Sequence, residues 1–346
     1  MFLDQARDRA RLPVVLLSGF LGSGKTTLVN ALLRDPRLAE TAVAINEFGE
    51  IPLDQLLIEH DGDSTVVMAN GCLCCNLSGD MEDAVMRIFS RRQNGDLPAF
   101  KRLIVEPSGL ADPGPIAQAI LRNPVLAAVL RLEAIITTVD AVFAEAQIAR
   151  HGETRRQVAL ADRLVITKGD LAEDGSAGRL RDVLRHINPA AEIFEVRHGA
   201  VDAAAVLPAG FVDPAALSDE LLVAEVAPVA HAHHHAERTV SVSLVAHQKL
   251  RWRAVEAWLR EVRVANASRL LRIKGVLNCA EAAGPVVVQG VQHVLHAPVC
   301  LKAWPDQDHR SRLVLILEGG DTGAIARDWL ASLPAMLAQE AVLCAP

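Results

Sequence analysis

No stretch of the 346-residue sequence is long and apolar enough to span a bilayer, so no membrane partner is expected. It has no long basic run, and its net charge of −7 gives a nucleic-acid backbone nothing to bind. The opening residues, MFLDQARDRARLP, mix acids and bases without a continuous apolar segment; a secretory signal is not expected, and the chain is read as cytoplasmic. Cysteine is scarce at six, and three of the six crowd into four positions. In a chain of this size that pattern excludes a disulfide framework and points to reduced thiols that bind metal or act in catalysis. There is no internal repeat.

What is present is ordinary for a globular protein, with 51% hydrophobic and 22% charged residues. The length suffices for two domains. From Pro13 to about Val196, β-branched runs at Pro13 to Leu17, Thr41 to Ile45, Leu103 to Val105, Ala134 to Val139 and Arg163 to Ile166 alternate with helical stretches. That alternation predicts an α/β domain with a doubly wound, mostly parallel sheet over residues 1–198. Residues 199–237, rich in Ala, Pro and His, read as a linker. Residues 238–346 predict a smaller α+β domain, with a strand at Val240 to Val245, a helix from Leu250 to Val262 and a last helix near Ala324 to Leu333.

Gly19-Phe20-Leu21-Gly22-Ser23-Gly24-Lys25-Thr26 matches G-x-x-x-x-G-K-[ST] without a gap, between the apolar strand Val14 to Leu17 and a helix-forming run from Thr27 to Arg34. Glycines let such a loop curl so that its amides converge on phosphate oxygens, and the helix N-terminus adds a favourable dipole. Gly19, Gly22, Ser23, Gly24, Lys25, Thr26 and Thr27 are therefore candidate nucleotide contacts. Lys25 would reach the β- and γ-phosphates, and Thr26 would offer a hydroxyl to Mg²⁺.

Glu106-Pro107-Ser108-Gly109 follows the strand Leu103 to Val105. A carboxylate at a strand's C-terminal end with a glycine three residues on suits an acid on the Mg²⁺ side, followed by an amide that senses the γ-phosphate. The plainer alternative is a solvated acid at a Pro-Gly turn. Thr167-Lys168-Gly169-Asp170 follows the strand Arg163 to Ile166 at the edge where a base would lie. Asp170 would accept from guanine N1 and its exocyclic amino group together, a pairing that adenine cannot supply, and Lys168 would lay its stem along the base. The usual motif opens with Asn, where Thr167 keeps one hydroxyl.

Asn70-Gly71-Cys72-Leu73-Cys74-Cys75-Asn76 lies between these motifs. In an extended backbone Cys72 and Cys74 share one face while Cys75 points away, so convergence needs a turn, which Gly71 permits. Thiolates suit Zn²⁺, and three from one segment leave a fourth position for a carboxylate, water or receiving protein. Buried small hydrophobes and a redox site are the competing readings. Asn46-Glu47-Phe48-Gly49-Glu50, continuing to Asp54, occupies the stretch where P-loop GTPases hold a mobile switch. His231, His233, His234 and His235, with Glu237, sit in the linker as a candidate low-affinity metal antenna. Cys279, Cys300, His293, His296 and His309 stand singly and read as structural.

Together GFLGSGKTT, NEFGE, NGCLCC, EPSGLADP and TKGD, in this order, resemble the CobW-like family of metal-handling GTPases. Leu271 to Gly275, Val288 to His293 and Ser311 to Val314 look like that family's C-terminal domain, so the resemblance covers nearly the whole chain. It implies GTP hydrolysis with Mg²⁺, and a divalent metal, Zn²⁺ or Co²⁺, held at Cys72, Cys74 and Cys75 with Glu50 as helper, for insertion into a client metalloprotein. Two other classes stay open. A P-loop ATPase or small-molecule kinase would prefer ATP, and a non-catalytic metal-binding regulator would bind metal indifferently to GTP.

Overall fold

A computed structural model describes residues 3–4, 11–38, 40–45, 66–69, 91, 94–96, 100–173, 175–196, 202–207, 239–304, 306–319 and 321–337. The chain divides into two compact units, one formed by residues 6–216 and the other by residues 1–5 with 217–346. The first strand, β1 (Leu3–Asp4), accordingly belongs with the C-terminal unit.

The larger unit is built on seven strands: β2 (Leu12–Gly19), β3 (Thr41–Ile45), β4 (Val66–Ala69), β5 (Arg102–Glu106), β6 (Leu130–Asp140), β7 (Arg163–Thr167) and β8 (Glu192–Glu195). They lie in the order β4-β3-β5-β2-β6-β7-β8, and every pairing is parallel. Parallel strands are covered on both faces, which is why β2, β6 and β7 are near-continuous apolar runs rather than alternating ones. Val15 and Leu17 point to one face and pack with Leu28, Val29 and Leu32 of helix α1 (Lys25–Leu33), Val43, Ile104, Ile136 and Val165. Alternation sends Leu16 and Ser18 to the other face. There the connecting helices α2 (Pro113–Arg122) and α5 (Gly152–Leu160) lie on β2 and β6. Between them in the chain come α3 (Pro124–Val129) and α4 (Ala144–Arg150), and α6 (Ser176–Ile187) and α7 (Ala203–Val206) complete the unit. Asp112 caps α2 by accepting from the Gly114 amide at 2.8 Å, with Pro113 at the first helical position.

Strand β6 carries a register shift opposite Val14 and Val15, at Glu133. The bulged residue buries its carboxylate, which accepts from Arg102 at 3.4 Å and Arg131 at 3.1 Å. This ion cluster lies at the strands' N-terminal end, away from the motifs.

The C-terminal unit has β9 (Thr239–Ala246), β10 (Leu270–Leu277), β11 (Val286–Val291), β12 (Val294–Leu295), β13 (Val299–Cys300) and β14 (Ser311–Glu318). Its order is β1-β13-β11-β10-β14-β9, antiparallel except for β1 beside β13, and β12 pairs with β11. Helices α8 (Trp252–Ala265) and α9 (Thr322–Met336) bury Val255, Trp258, Leu259 and Trp329 against Val242, Leu244, Ile273, Leu313 and Leu315. Trp258 and Trp329 meet edge to face, with ring centroids 4.8 Å apart, and the Trp258 indole donates to Asp328 at 2.7 Å. No helix among the described residues is long and apolar enough to cross a membrane.

Candidate nucleotide site

The site is assembled where β5, β2, β6 and β7, four neighbours in the sheet, end. In an open α/β sheet this C-terminal edge is where ligands bind. The loop from Gly19 to Gly24 leaves β2 and enters α1. Gly19 takes φ 142°, and a Cβ there would overlap the Thr138 hydroxyl and lie 2.6 Å from Ser23 Oγ, so only glycine fits. Gly24 takes the left-handed conformation at the N-cap, and no side chain caps the helix. The N-terminus of α1, where the helix dipole favours an anion, lies at the end of this loop.

Cross-links hold this loop in place. Ser23 Oγ and Thr138 Oγ1 are 2.7 Å apart, and both residues are buried, so the serine hydroxyl serves the frame, and the Ser23 amide closes the loop by donating to the Phe20 carbonyl at 3.1 Å. Thr167 Oγ1 donates to the Ser23 carbonyl at 2.7 Å, with the Val139 carbonyl 3.3 Å away. A hydroxyl carries one proton. Thr167 therefore spends its only donor on the phosphate loop and has none for a base. The Lys25 ammonium lies over the loop, donating to the carbonyls of Gly19 at 3.1 Å and Phe20 at 3.3 Å. On the outer side, the Phe20 ring packs on His151 with centroids 4.7 Å apart.

At the end of β5, Glu106 is 3% exposed, and its Oε1 accepts from Thr26 Oγ1 at 3.4 Å. The two residues the motifs assign to the Mg²⁺ side, 80 positions apart in sequence, are thus side by side. The chain then turns: the Ala111 amide donates to the Ser108 carbonyl at 2.9 Å. Gly109 lies against the loop itself, since a Cβ on it would stand 2.7 Å from the Leu21 nitrogen.

Beside the loop opens a pocket of about 190 Å³, lined by Gly24, Thr27, Leu28, Ala31, Thr167, Lys168, Asp170, Leu171 and Val196. Its apolar floor and single exposed carboxylate suit a flat heterocycle read along one edge. Lys168 adopts φ 58°, which costs a non-glycine residue about 1–2 kcal/mol. Its ammonium donates to buried Asp140 Oδ2 at 2.6 Å, and this ion pair offsets that strain. Asp140 is fixed in turn, accepting from the Val142 amide at 2.8 Å.

The sequence matches the family described as CobW/HypB/UreG, nucleotide-binding domain, over residues 13–195, and the cobalamin synthesis protein cobW C-terminal domain over residues 239–333. The chain belongs to the CobW family. Among its relatives, the zinc chaperone YjiA of Escherichia coli is 32% identical over 309 residues, covering 88% of this chain and 93% of the relative. The zinc-regulated GTPase metalloprotein activator 1 of Schizosaccharomyces pombe is 31% identical over 209 residues, which is 58% of this chain and 50% of that one. The crystal structure of Zn(II)-bound YjiA GTPase superposes with a TM-score of 0.67 at 26% identity, covering 95% of this chain and 99% of that chain.

For a CobW-family chain the remaining question is the metal segment. Cys72, Cys74, Cys75, Glu47, Glu50, Asp54 and the histidines at 231–235 lie outside the described residues. Among the described residues, no group of three or more His, Cys, Asp or Glu is placed to hold a metal ion. In the C-terminal unit, burial pushes the Cys279 thiol up to about 12, so it stays protonated at neutral pH and is no thiolate donor. Sequence reasoning passed over Asp140, Thr138 and Gln157. A signal existed for the first two: Thr137-Thr138-Val139-Asp140 sets polar residues directly after the apolar run Ala134 to Ile136.

Proposed function

We infer that the chain is a GTP-hydrolysing metallochaperone that binds Zn²⁺ or Co²⁺ at Cys72, Cys74 and Cys75 and delivers it to a client metalloprotein under nucleotide control. The backbone amides around Gly22 and Gly24 and at the start of α1 cradle the phosphates, Lys25 neutralises the β- and γ-oxygens, and the Gly109 amide meets the γ-phosphate. Asp170 reads guanine through its two N–H edges, while Thr167 ties the base pocket to the phosphate loop. The Thr26 hydroxyl and the Glu106 carboxylate, hard oxygen donors within 3.4 Å of each other, fit Mg²⁺, which when bound supplies charge neutralisation across the β- and γ-oxygens. The names of the relatives, zinc chaperone and zinc-regulated GTPase, support this reading.

One observation carries the link between nucleotide and metal. Ala69, Ile45 and Glu106 are cross-strand neighbours in a single row of the sheet. Two strand spacings put Ala69 about 10 Å from Glu106. In the sequence Cys72 comes three residues after Ala69, the last residue of β4, which is two strands from the strand that ends in Glu106. A site of reduced thiols is the kind that a cytoplasmic protein can keep, which fits that compartment for this chain.

The test is zinc affinity of the full chain in its apo, GDP and non-hydrolysable GTP-analogue states, alongside Lys25→Ala and Cys74→Ala. Lys25→Ala is expected to stop GTP turnover. Cys74→Ala is expected to weaken zinc binding at least tenfold with nucleotide affinity retained. Equal zinc affinity in all three nucleotide states removes the chaperone reading and leaves a hydrolase.

A further inference from the structure

Helix α5 touches both loops that surround the phosphate site, and one of its side chains does so at a cost. Gln157 is fully buried. Its Nε2 donates to the carbonyls of Gly109 and Ala111, each at 3.1 Å, so both protons of the amide are used on a single turn. That turn is Ser108 to Ala111, closed by its own backbone hydrogen bond from Ala111, which leaves the Gly109 N–H outside the turn bond. The helix that presents Gln157 is itself anchored. The Gln157 carbonyl accepts from Thr137 Oγ1 on β6 at 3.0 Å, and His151 at the helix N-cap packs on Phe20.

The other half of the amide argues that this residue is not kept for stability. Gln157 Oε1 is buried and finds no hydrogen-bond partner among the described residues. A buried acceptor without a partner is destabilising, and an apolar side chain of the same length would remove it. Methionine would fill the volume without that orphaned oxygen, but the Gly109 and Ala111 carbonyls would lose their donor, so what Gln157 adds is the hold on this turn.

We propose that Gln157 is a positioning residue for γ-phosphate recognition: by clasping the Gly109 and Ala111 carbonyls it fixes the turn so that the Gly109 N–H points at the γ-phosphate. Gly109 is then held on two sides, by the Leu21 backbone and by Gln157. This rests on the hydrolase reading above and adds the residue that sets GTP apart from GDP.

The experiment uses the full chain with Gln157→Met and, should that variant fold poorly, Gln157→Leu, a smaller apolar side chain that equally lacks the amide donor. Affinities for GDP and for a non-hydrolysable GTP analogue are measured with Mg²⁺, together with kcat and KM for GTP and the melting temperature. Gln157→Met leaves two carbonyls without their donor, so it is expected to melt several degrees below the parent, yet to bind GDP within about twofold. Its affinity for the analogue and its kcat should each fall about tenfold, the effect of one misaimed amide donor. A merely structural role would lower the melting temperature and both affinities together, and that result overturns the proposal. A folded variant that discriminates GTP from GDP as the parent does also overturns it, with the hydrolase reading intact. A parent chain that neither discriminates nor hydrolyses sinks both.

Discussion

Replacing Thr167 by valine tests whether the base pocket and the phosphate loop are one mechanical unit. The substitution keeps the shape of the side chain, and its methyl groups can retain the packing against Gly24, where a Cβ would lie 3.6 Å from the threonine carbons. What it removes is the hydroxyl that donates to the Ser23 carbonyl at 2.7 Å. Thr167 is 8% exposed, so that carbonyl loses its partner where water is scarce, at a cost of about 1–3 kcal/mol. For a unit of this size the loss lowers the melting temperature by roughly 2–10 °C. The bond spans the base side and the β-phosphate side but does not involve the γ-phosphate. GTP and GDP affinities should therefore fall together, by about tenfold if some 1.4 kcal/mol of the cost is recovered when the loop relaxes in the empty protein. Titration with fluorescent GTP and GDP analogues, paired with thermal melts, reads both quantities. Thr167→Ser restores the hydroxyl and should restore affinity. A valine variant with parental affinity and parental melting temperature refutes the reasoning, because the tether then transmits nothing.

Two further expectations concern charged groups. Asp140→Asn leaves the cap of the Val142 amide in place but deprives Lys168 of its charged partner, so guanine nucleotide affinity should drop about tenfold, with Lys168→Met in the same background adding little further; a double-mutant cycle by calorimetry checks this. In the C-terminal unit, the Asp308 carboxyl is held down at about 2 by hydrogen bonds from the Arg310 guanidinium, helped by the Arg310 amide and the charge of Arg312. A depressed carboxyl stabilises the fold above its unfolded pKa, near 4, and that contribution is lost as pH falls from about 4 to about 2. Screening at this surface loop reduces the contribution to about 1 kcal/mol. Asp308→Asn should thus melt a few degrees below the parent at pH 7, with the gap closing between pH 4 and pH 2.

The parallel sheet was legible because buried strands are apolar throughout, and the P-loop because its residue types are dictated by phosphate geometry. The strands run slightly past the apolar segments expected of them. Strands β2, β5 and β7 extend to Gly19, Glu106 and Thr167, since ladder hydrogen bonding continues after hydrophobicity stops and delivers the functional residues at the ends. Strand β6 begins at Leu130 rather than Ala134: Arg131 and Glu133 hide its start, and their charges are reconciled only by a bulge and by Arg102 on β5. Strand β1 has two residues and no periodicity to read, so nothing local foretells its pairing with Val299 and Cys300. The partners of the site are illegible for the same reason. Gln157 meets Gly109 across 48 residues, Lys168 meets Asp140 across 28, and Ser23 meets Thr138 across 115. Thr167 is the instructive case. As a sequence feature it is a departure from Asn that loses a base contact, whereas in the fold its hydroxyl is committed to the loop, and Asp170 lines the pocket beside it.

These cross-links decide where a nucleotide signal can travel. The phosphate loop is tied to β6 through Thr138 and to β7 through Thr167, and it packs on α5 through Phe20 and His151. A frame restrained on those sides has little freedom to answer the loss of a γ-phosphate. The turn after β5 meets the loop at Gly109, and α5 through the Gln157 amide and, just beyond the turn, the Arg156–Asp112 ion pair at 3.8 Å. It also continues Glu106, which is level with Ile45 and, one strand further, with Ala69. The neighbours of that turn's strand on this side are β3 and β4. The sequence that follows β4 carries the three thiols. If the two sites are coupled by about 1–3 kcal/mol, GTP changes zinc affinity by roughly 5- to 150-fold, and linkage requires zinc to change GTP affinity by the same factor. Measuring both arms tests the route twice, since a shift in one without an equal shift in the other is not an equilibrium coupling and must come from some other source.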